Sequence, residues 1–219
     1  MNIEVTYIDH MGSDLSVVNA ARVSFGKNSE MDRSYLRSPP RLKDKDAKLI
    51  KYLAKHKHTS PFNHTFLTVH VKAPIFVARQ LQKHEYMPWN EVSRRYVDDE
   101  PEFYEPDHWR EKSKDKKQGS GGKSQSQYFP NIYVKEITEK ALGDYKKMLT
   151  QGIAPEQARM ILPQNTMTEW YWSGTVGAFA KMCNLRCKPD TQLETRIVGN
   201  EVSNIMLRYF PVSWEALRR

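Results

Sequence analysis

Helices and strands share this chain, and three observations predict it. Leu67, Val69, Val71 and Ala73 recur with period two, as on a strand with one buried face. Ala47, Ile50, Leu53 and Ala54 recur with helical spacing, as do Val176, Phe179, Ala180 and Cys183. Prolines and glycines separate these runs at short intervals. A chain of 219 residues can bury a real core, roughly 70% of its unfolded surface at this size. One domain over 1–219 is the expected organisation.

In chain order, Ile3 to Ile8 alternates well enough for an edge strand, and Asp14 is expected to cap a short helix through Leu15, Val18, Ala21 and Arg22. Arg22-Val23-Ser24-Phe25-Gly26 reads as a turn. Residues 27–43 are polar and contain Pro39-Pro40, which predicts a mobile loop before a helix starting near Asp44. Thr59-Ser60-Pro61-Phe62 leads into a strand over His64 to Ala73. Pro74 suits the first turn of a helix. On that helix, at about 100° per residue, Arg79, Gln80, Lys83 and His84 fall within one arc opposite Val77, Ala78 and Leu81. Residues 106–127 are Gly/Ser/Lys-rich and too poor in apolar groups to order alone, so they read as an excursion, not a domain boundary. Helical spacing resumes over Asn131 to Gln151, with Gly152 suited to its stop. Pro155 begins a shorter helix carrying Ala158, Arg159 and Ile161. Thr166 to Trp172 predicts a strand with Trp170 and Trp172 on one face, followed by a helix towards Leu185-Arg186. A last helix is expected from about Thr191 to Tyr209, packing through Leu193, Ile197, Val202, Ile205, Met206 and Leu207.

The balance of 34 basic against 26 acidic residues gives a formal charge of +8, which favours phosphorylated or carboxylated partners without selecting a fold. No stretch approaches the roughly 18 apolar residues of a membrane span, and Met1-Asn2-Ile3-Glu4 lacks a secretory layout, so a cytoplasmic protein is expected. Cys183 and Cys187 supply two of the four ligands a structural zinc needs and read as reduced packing thiols. His56, His58, His64 and His70 straddle a helix end and a strand, and no Cys or carboxylate completes a recognisable metal set. No metal is expected. The lysine-rich run at 112–123, flanked by Trp109 and Tyr128, has the ingredients of a nucleic-acid surface, but charge runs are usually solvated and this reading is disfavoured.

Polar chemistry concentrates between Arg79 and Tyr96. Asn90-Glu91-Val92-Ser93-Arg94-Arg95-Tyr96 offers an amide, a carboxylate, a hydroxyl and two guanidiniums. Arginine can grip phosphate with two parallel hydrogen bonds while serine hydroxyls and backbone N–H groups fill the remaining lone pairs. Ser93 has no base and orienter beside it and does not read as a nucleophile. Arg79-Gln80-x-x-Lys83-His84-Glu85, seven residues, then Ser93-x-Arg95-Tyr96 resembles the signature of flavin-dependent thymidylate synthases, which is Arg-His-Arg, seven residues, Ser-x-Arg. Further blocks match that family in order: Arg22-Val23-Ser24-Phe25, His58-Thr59-Ser60-Pro61-Phe62-x-His64, His70-Val71-Lys72-Ala73-Pro74, Glu102-Phe103-Tyr104, Ala158-Arg159-x-x-Leu162-Pro163 and Asn184-Leu185-Arg186. The resemblance covers most of the chain outside 27–43 and 106–127.

The resemblance implies an α+β fold, a mixed β-sheet with packed helices, assembled as a homotetramer whose sites draw on more than one subunit. It implies that NADPH reduces FAD, that methylenetetrahydrofolate supplies one carbon, and that dUMP becomes dTMP. Carried over residue by residue, Gln80, Lys83, Glu91, Val92, Ser93, Arg94, Arg95, Arg159 and Arg186 would bind dUMP. His58, Ser60, Lys83, His84, Glu85, Glu91, Thr175 and Lys181 would lie at the FAD. Arg186 would be catalytic. Bond formation at C5 of uracil needs electron density there, which a guanidinium facing the N3/O4 edge promotes by stabilising negative charge on the ring. The flavin carries the hydride chemistry, and the protein supplies position and electrostatics.

The chain departs from the family pattern at several positions. Lys83 keeps the charge of the first signature arginine without its fork, and Glu85 reverses the charge of the last. Lys181 and Thr175 stand where many members have flavin-contacting asparagines, and Asp190 where a histidine is common. The sign changes at Glu85 and Lys181 are opposite, so the two are expected to offset each other around one ligand. A family member that binds nucleotide and flavin but has lost methyl transfer is the alternative.

Overall fold

The computed structural model describes residues 3–33, 41–97, 99–115 and 118–218. Pro39-Pro40 and Lys116-Lys117 lie outside them, and so do residues 34–40 of the loop expected at 27–43.

The chain opens with β1 (Glu4–Met11), α1 (Asp14–Arg22) and a 3₁₀ turn at Val23–Phe25, then α2 (Asp44–Lys55) and a second 3₁₀ turn at Ser60–His64. Next come β2 (Phe66–Pro74), α3 (Ile75–Leu81) and β3 (Trp89–Glu91), then a small hairpin of β4 (Arg110–Lys112) and β5 (Ser120–Lys123). The long α4 (Tyr128–Thr150), the short α5 (Pro155–Ala158) and a 3₁₀ turn at Arg159–Ile161 lead to β6 (Met167–Thr175). The chain closes with α6 (Val176–Arg186), α7 (Leu193–Tyr209) and α8 (Pro211–Leu217).

The main sheet has the order β1-β2-β6-β3. Its α+β character is as expected. The sheet is not mixed, however: all three pairings are antiparallel. β2 and β3 run in the same direction but lie on either side of β6, so no two neighbouring strands are parallel. The centre of the sheet is the pairing of β2 with β6, in which Val69 faces Trp172 and Val71 faces Trp170. Leu67, Val69, Val71 and Ala73 are fully buried on one face of β2, as the period-two spacing predicts. Phe179, Val198, Val202, Met206 and Phe210 of the following helices close over that face. Val17, Val18, Ile50, Leu53, Ala54 and Phe62 form a second cluster, and Leu217 packs against both.

Several local expectations change. Ser13, not Asp14, occupies the N-cap position of α1, and Ser13 N–H donates to Ser16 Oγ at 3.0 Å. Asp14 instead turns its buried carboxylate to the other end of the chain, accepting from Val212 N–H at 2.9 Å and Ser213 N–H at 2.8 Å. It thereby satisfies the orphan donors of α8, the helix that follows the one expected to be last. Leu207 lies on the exposed side of α7, so the buried stripe is Val198, Val202 and Met206. The helix at 128 starts three residues earlier than the apolar spacing suggests. Its end is the expected Schellman closure, with Gly152 at φ +80°, Ile153 N–H on Met148 O and Gly152 N–H on Leu149 O.

Two corrections bear on the site. His64 belongs to the 3₁₀ turn and shares no strand face with His70. The helix after Pro74 ends at Leu81, so Lys83, His84 and Glu85 stand on a turn and not on its arc. That turn closes with His84 N–H on Leu81 O at 3.1 Å and with Tyr86 in the left-handed region at φ +60°. The reversal is needed because buried Met87 packs on Gly174 and Trp89 enters β3 directly afterwards.

Candidate active site

Arg186 is the last residue of α6, carried there by the Val176, Phe179, Ala180 and Cys183 face that packs into the core. Its Nε donates to His84 Nε2 at 3.1 Å and its Nη2 donates to the main-chain carbonyl of Gln80 at 3.1 Å. Burial, and next the Arg186 charge, push His84 down to about 4. The ring is therefore neutral at physiological pH, and accepting at Nε2 leaves the proton on Nδ1. Burial also lowers Arg186 from its ordinary value, yet a guanidinium starts so high that it stays charged. The result is a fixed cation whose own partners are neutral acceptors, so its charge is oriented without being cancelled.

The Gln80 amide is held as firmly. Thr195 Oγ1 donates to its Oε1 at 3.0 Å, and its Nε2 donates to Gln192 Oε1. Neither Thr195 nor Gln192 was a candidate from sequence. Both sit where α7 begins, and only the packing of that end against α3 reveals their role.

Lys83, His84, Glu85 and Lys181 border one cavity of about 510 Å³ with Thr59, Asn63 and Asn184. Glu85 and Lys181, expected around one ligand, do share this cavity, and no ion pair joins them among the described residues. At the same wall, a Cβ on Gly177 would come within 2.9 Å of Asn63 Oδ1, so glycine is what lets the start of α6 approach this closely. Thr175 is occupied within the fold: its hydroxyl accepts from Ala178 N–H at 3.1 Å as the α6 N-cap and donates to Asn63 Oδ1 at 3.0 Å. His58 and Ser60 border a second cavity, of about 750 Å³, with Arg22, Ser24, Phe25 and Tyr52; Thr59 lies on both.

Glu91, Val92, Ser93, Arg94 and Arg95 lie at the β3 edge of the sheet. Glu91 accepts from Thr168 Oγ1 at 2.7 Å and from Trp89 Nε1 at 3.0 Å, and Val92 N–H donates to Glu169 O at 2.9 Å. Ser93 Oγ accepts from Arg95 Nε at 3.3 Å, while Arg94 Nη1 donates to Asp99 O at 3.0 Å. Arg159 Nε donates only locally, to Glu156 O at 3.3 Å. No hydrogen bond or ion pair among the described residues joins this group to the cluster of Gln80, His84 and Arg186. One chain thus brings together part of the expected set and leaves the part expected to grip phosphate at an outer edge.

Cys183 is buried, its thiol donating to Gly199 O at 3.4 Å, and Cys187 packs beside the same glycine. No three His, Cys, Asp or Glu converge on a metal-sized centre among the described residues. None of their helices is long and apolar enough to cross a membrane.

A guanidinium aimed by neutral acceptors, and a cavity bordered by Lys57, Lys83 and Lys181, are features suited to an enzyme of anionic ligands. The chain belongs to the flavin-dependent thymidylate synthase family: the family model described as thymidylate synthase complementing protein matches residues 6–212. A flavin-dependent thymidylate synthase of Thermus thermophilus is 38% identical over 212 residues, which cover 97% of this chain and 74% of that protein. The one of Thermosipho africanus is 36% identical over 211 residues, covering 95% and 88%. Among solved structures, the UMP/dUMP methylase PolB from Streptomyces cacaoi bound with 5-Br dUMP is similar at a TM-score of 0.84 and 30% identity, covering 98% of this chain and 94% of that one. The same enzyme bound with 5-Br UMP gives a TM-score of 0.83 and 31% identity. The family and these methylases do not favour the readings as a nucleic-acid module or as a member without methyl transfer.

Proposed function

We propose that this protein methylates dUMP to dTMP, with methylenetetrahydrofolate as carbon donor and FAD, reduced by NADPH, as hydride carrier. The carrying observation is Arg186, held by His84 and the Gln80 carbonyl in a chain of this family. We read residues 1–219 as one domain, cytoplasmic, and assembled as a homotetramer. The separation of Glu91, Ser93, Arg94 and Arg95 from Arg186 within one chain supports a site completed between subunits.

The residues around the 510 Å³ cavity fit an anionic cofactor of this kind. Lys83 and Lys181 would face phosphate, Thr59, Asn63 and Asn184 supply neutral hydrogen-bonding groups, and Gly177 keeps one wall open to close approach. His58, Ser60, Glu91 and Thr175 complete the proposed cofactor set, with His84 and Glu85. When bound, the flavin supplies the hydride. The chain's own work is electrostatic. Arg186 stabilises negative charge that develops on the pyrimidine, and its fixed partners mean that little reorganisation accompanies the reaction. His84 stays neutral and presents Nδ1–H as a donor. Ser93, Arg94 and Arg95 would grip the nucleotide phosphate, with Gln80, Lys83, Glu91, Val92 and Arg159 completing the substrate set.

The test is a reconstitution. Protein that carries FAD is treated with NADPH until the yellow colour bleaches, and dUMP and methylenetetrahydrofolate are then added. Reoxidation together with dTMP formation is expected. Bleaching with no dTMP under any ratio of the substrates would contradict the reading.

A further inference from the structure

The hairpin of β4 and β5, which the sequence marks only as a polar excursion, grips the connection that follows Arg186. Arg110 Nη2 donates to both oxygens of Glu194, at 2.6 and 2.9 Å, and Arg110 Nε donates to Ser120 Oγ at 2.7 Å. Glu194 sits in the first turn of α7 with a side chain only 4% exposed, and the Tyr104 hydroxyl donates to it at 3.4 Å. Independently, Gly119 lies against the main chain of Asp190, where an added Cβ would come within 2.9 Å of the carbonyl oxygen. The hairpin therefore holds the first turn of α7 through an ion pair and the α6–α7 connection through backbone packing.

From Glu194 the contacts run on to the site. Thr195 and Gln192, its neighbours at the start of α7, hold the Gln80 amide. The Gln80 carbonyl and His84 hold Arg186. We propose that Arg110 is a positioning residue: by fixing Glu194 it sets the start of α7, and through Gln80 it sets where the Arg186 guanidinium points. This rests on the reading of Arg186 as the group that acts on the pyrimidine. The guanidinium is essential, because it holds Glu194 through Nη2 and Ser120 through Nε at once, where a lysine offers the charge on a single nitrogen. A displacement of about 1 Å at a reacting group can cost on the order of 100-fold in rate.

The experiment compares the FAD-loaded wild type with Arg110→Gln and Arg110→Lys, reading kcat for dTMP formation and the titration of His84 by NMR. The His84 signal is assigned by its loss in His84→Gln. His84 is held near 4 partly by the Arg186 charge. When Arg186 drifts, the proposal expects the His84 pKa to rise and kcat to fall at least tenfold. Arg110→Lys should recover only part of either change. If Arg110→Gln does not fold, Gly119→Ala, which pushes the hairpin off Asp190 without disturbing the ion pair's own groups, should move both readouts in the same direction by less. A variant that is merely less stable, with His84 titrating as in the wild type and kcat unchanged, overturns the proposal. Because the NMR titration needs no turnover, it decides the positioning role even if the wild type makes no dTMP.

Discussion

Arg186 donates through Nε to Nε2 of His84 at 3.1 Å, an arrangement that requires the imidazole to be unprotonated at that nitrogen. Protonating His84 would set two cations face to face and remove the acceptor, so the pair links the electrostatics of the site to pH.

The stability of the fold should carry this linkage. His84 is pushed down to about 4 from an ordinary 6.5 by burial and then by Arg186. Between those values the unfolded chain binds a proton that the folded chain does not, so stability is fully present above 6.5 and is lost as pH falls towards 4. The loss is roughly 2 kcal/mol for a partly buried group shifted this far, with nothing further from this residue below that window. Urea unfolding of the wild type and His84→Gln from pH 7.5 to 4 checks it: the variant should show the shallower fall. Parallel profiles would place the linkage elsewhere.

Asp46 should be costly to remove. It is fully buried, accepting from Arg22 at 2.5 Å and Ser29 at 2.5 Å. Burial alone would raise its carboxyl, but those two hydrogen bonds and the Arg22 charge hold it below the ordinary value. Asp46→Ala leaves the Arg22 cation without its partner and should cost about 3 kcal/mol, read as a lower urea midpoint. A loss under about 1 kcal/mol would show that Arg22 finds water instead.

Lys57 offers a gain. It occupies the position after the α2 C-cap at φ +59°, inside a Schellman closure in which His58 N–H reaches Leu53 O and Lys57 N–H reaches Ala54 O. A lysine there lies in the left-handed region that glycine adopts without steric cost. Lys57→Gly should raise stability by about 0.5–1 kcal/mol by relieving that strain, measurable as a higher thermal midpoint. An unchanged or lower midpoint would mean that the glycine's extra freedom in the unfolded chain outweighs the relief.

Glu85 and Lys181 border the same cavity without an ion pair between them. Their coupling should therefore show itself through the bound ligand. Flavin affinities of Glu85→Gln, Lys181→Gln and the double variant should depart from additivity by at least about 0.5 kcal/mol. Strict additivity would remove the idea that one charge offsets the other.

The parts of the fold that were legible are those whose side chains alternate against one core. β2, β6, α2 and α6 bury residues at regular spacing, and their patterns place Trp170, Trp172 and Arg186 without reference to anything distant. What stayed hidden depends on long-range partners. The seven-residue α8 is anchored by Asp14 from the opposite end of the chain, a contact that no local pattern encodes. The end of α3 is dictated by where Met87 and Trp89 must go, so the arc predicted through Lys83 and His84 is broken by packing further on. The polar hairpin is ordered by Glu194, not by an apolar face of its own. For the site, Arg186 and His84 were named through the family resemblance, and the structure brings these two into contact. The groups that aim them, Gln192 and Thr195, were not, because an amide and a hydroxyl at a helix start are ordinary until the packing shows what they hold.

The central claim is that Arg186 acts on the pyrimidine and not on flavin retention. Arg186→Ala should be purified yellow, with FAD still bleached by NADPH, and should form no measurable dTMP from dUMP and methylenetetrahydrofolate. Undiminished turnover in that variant would contradict the account.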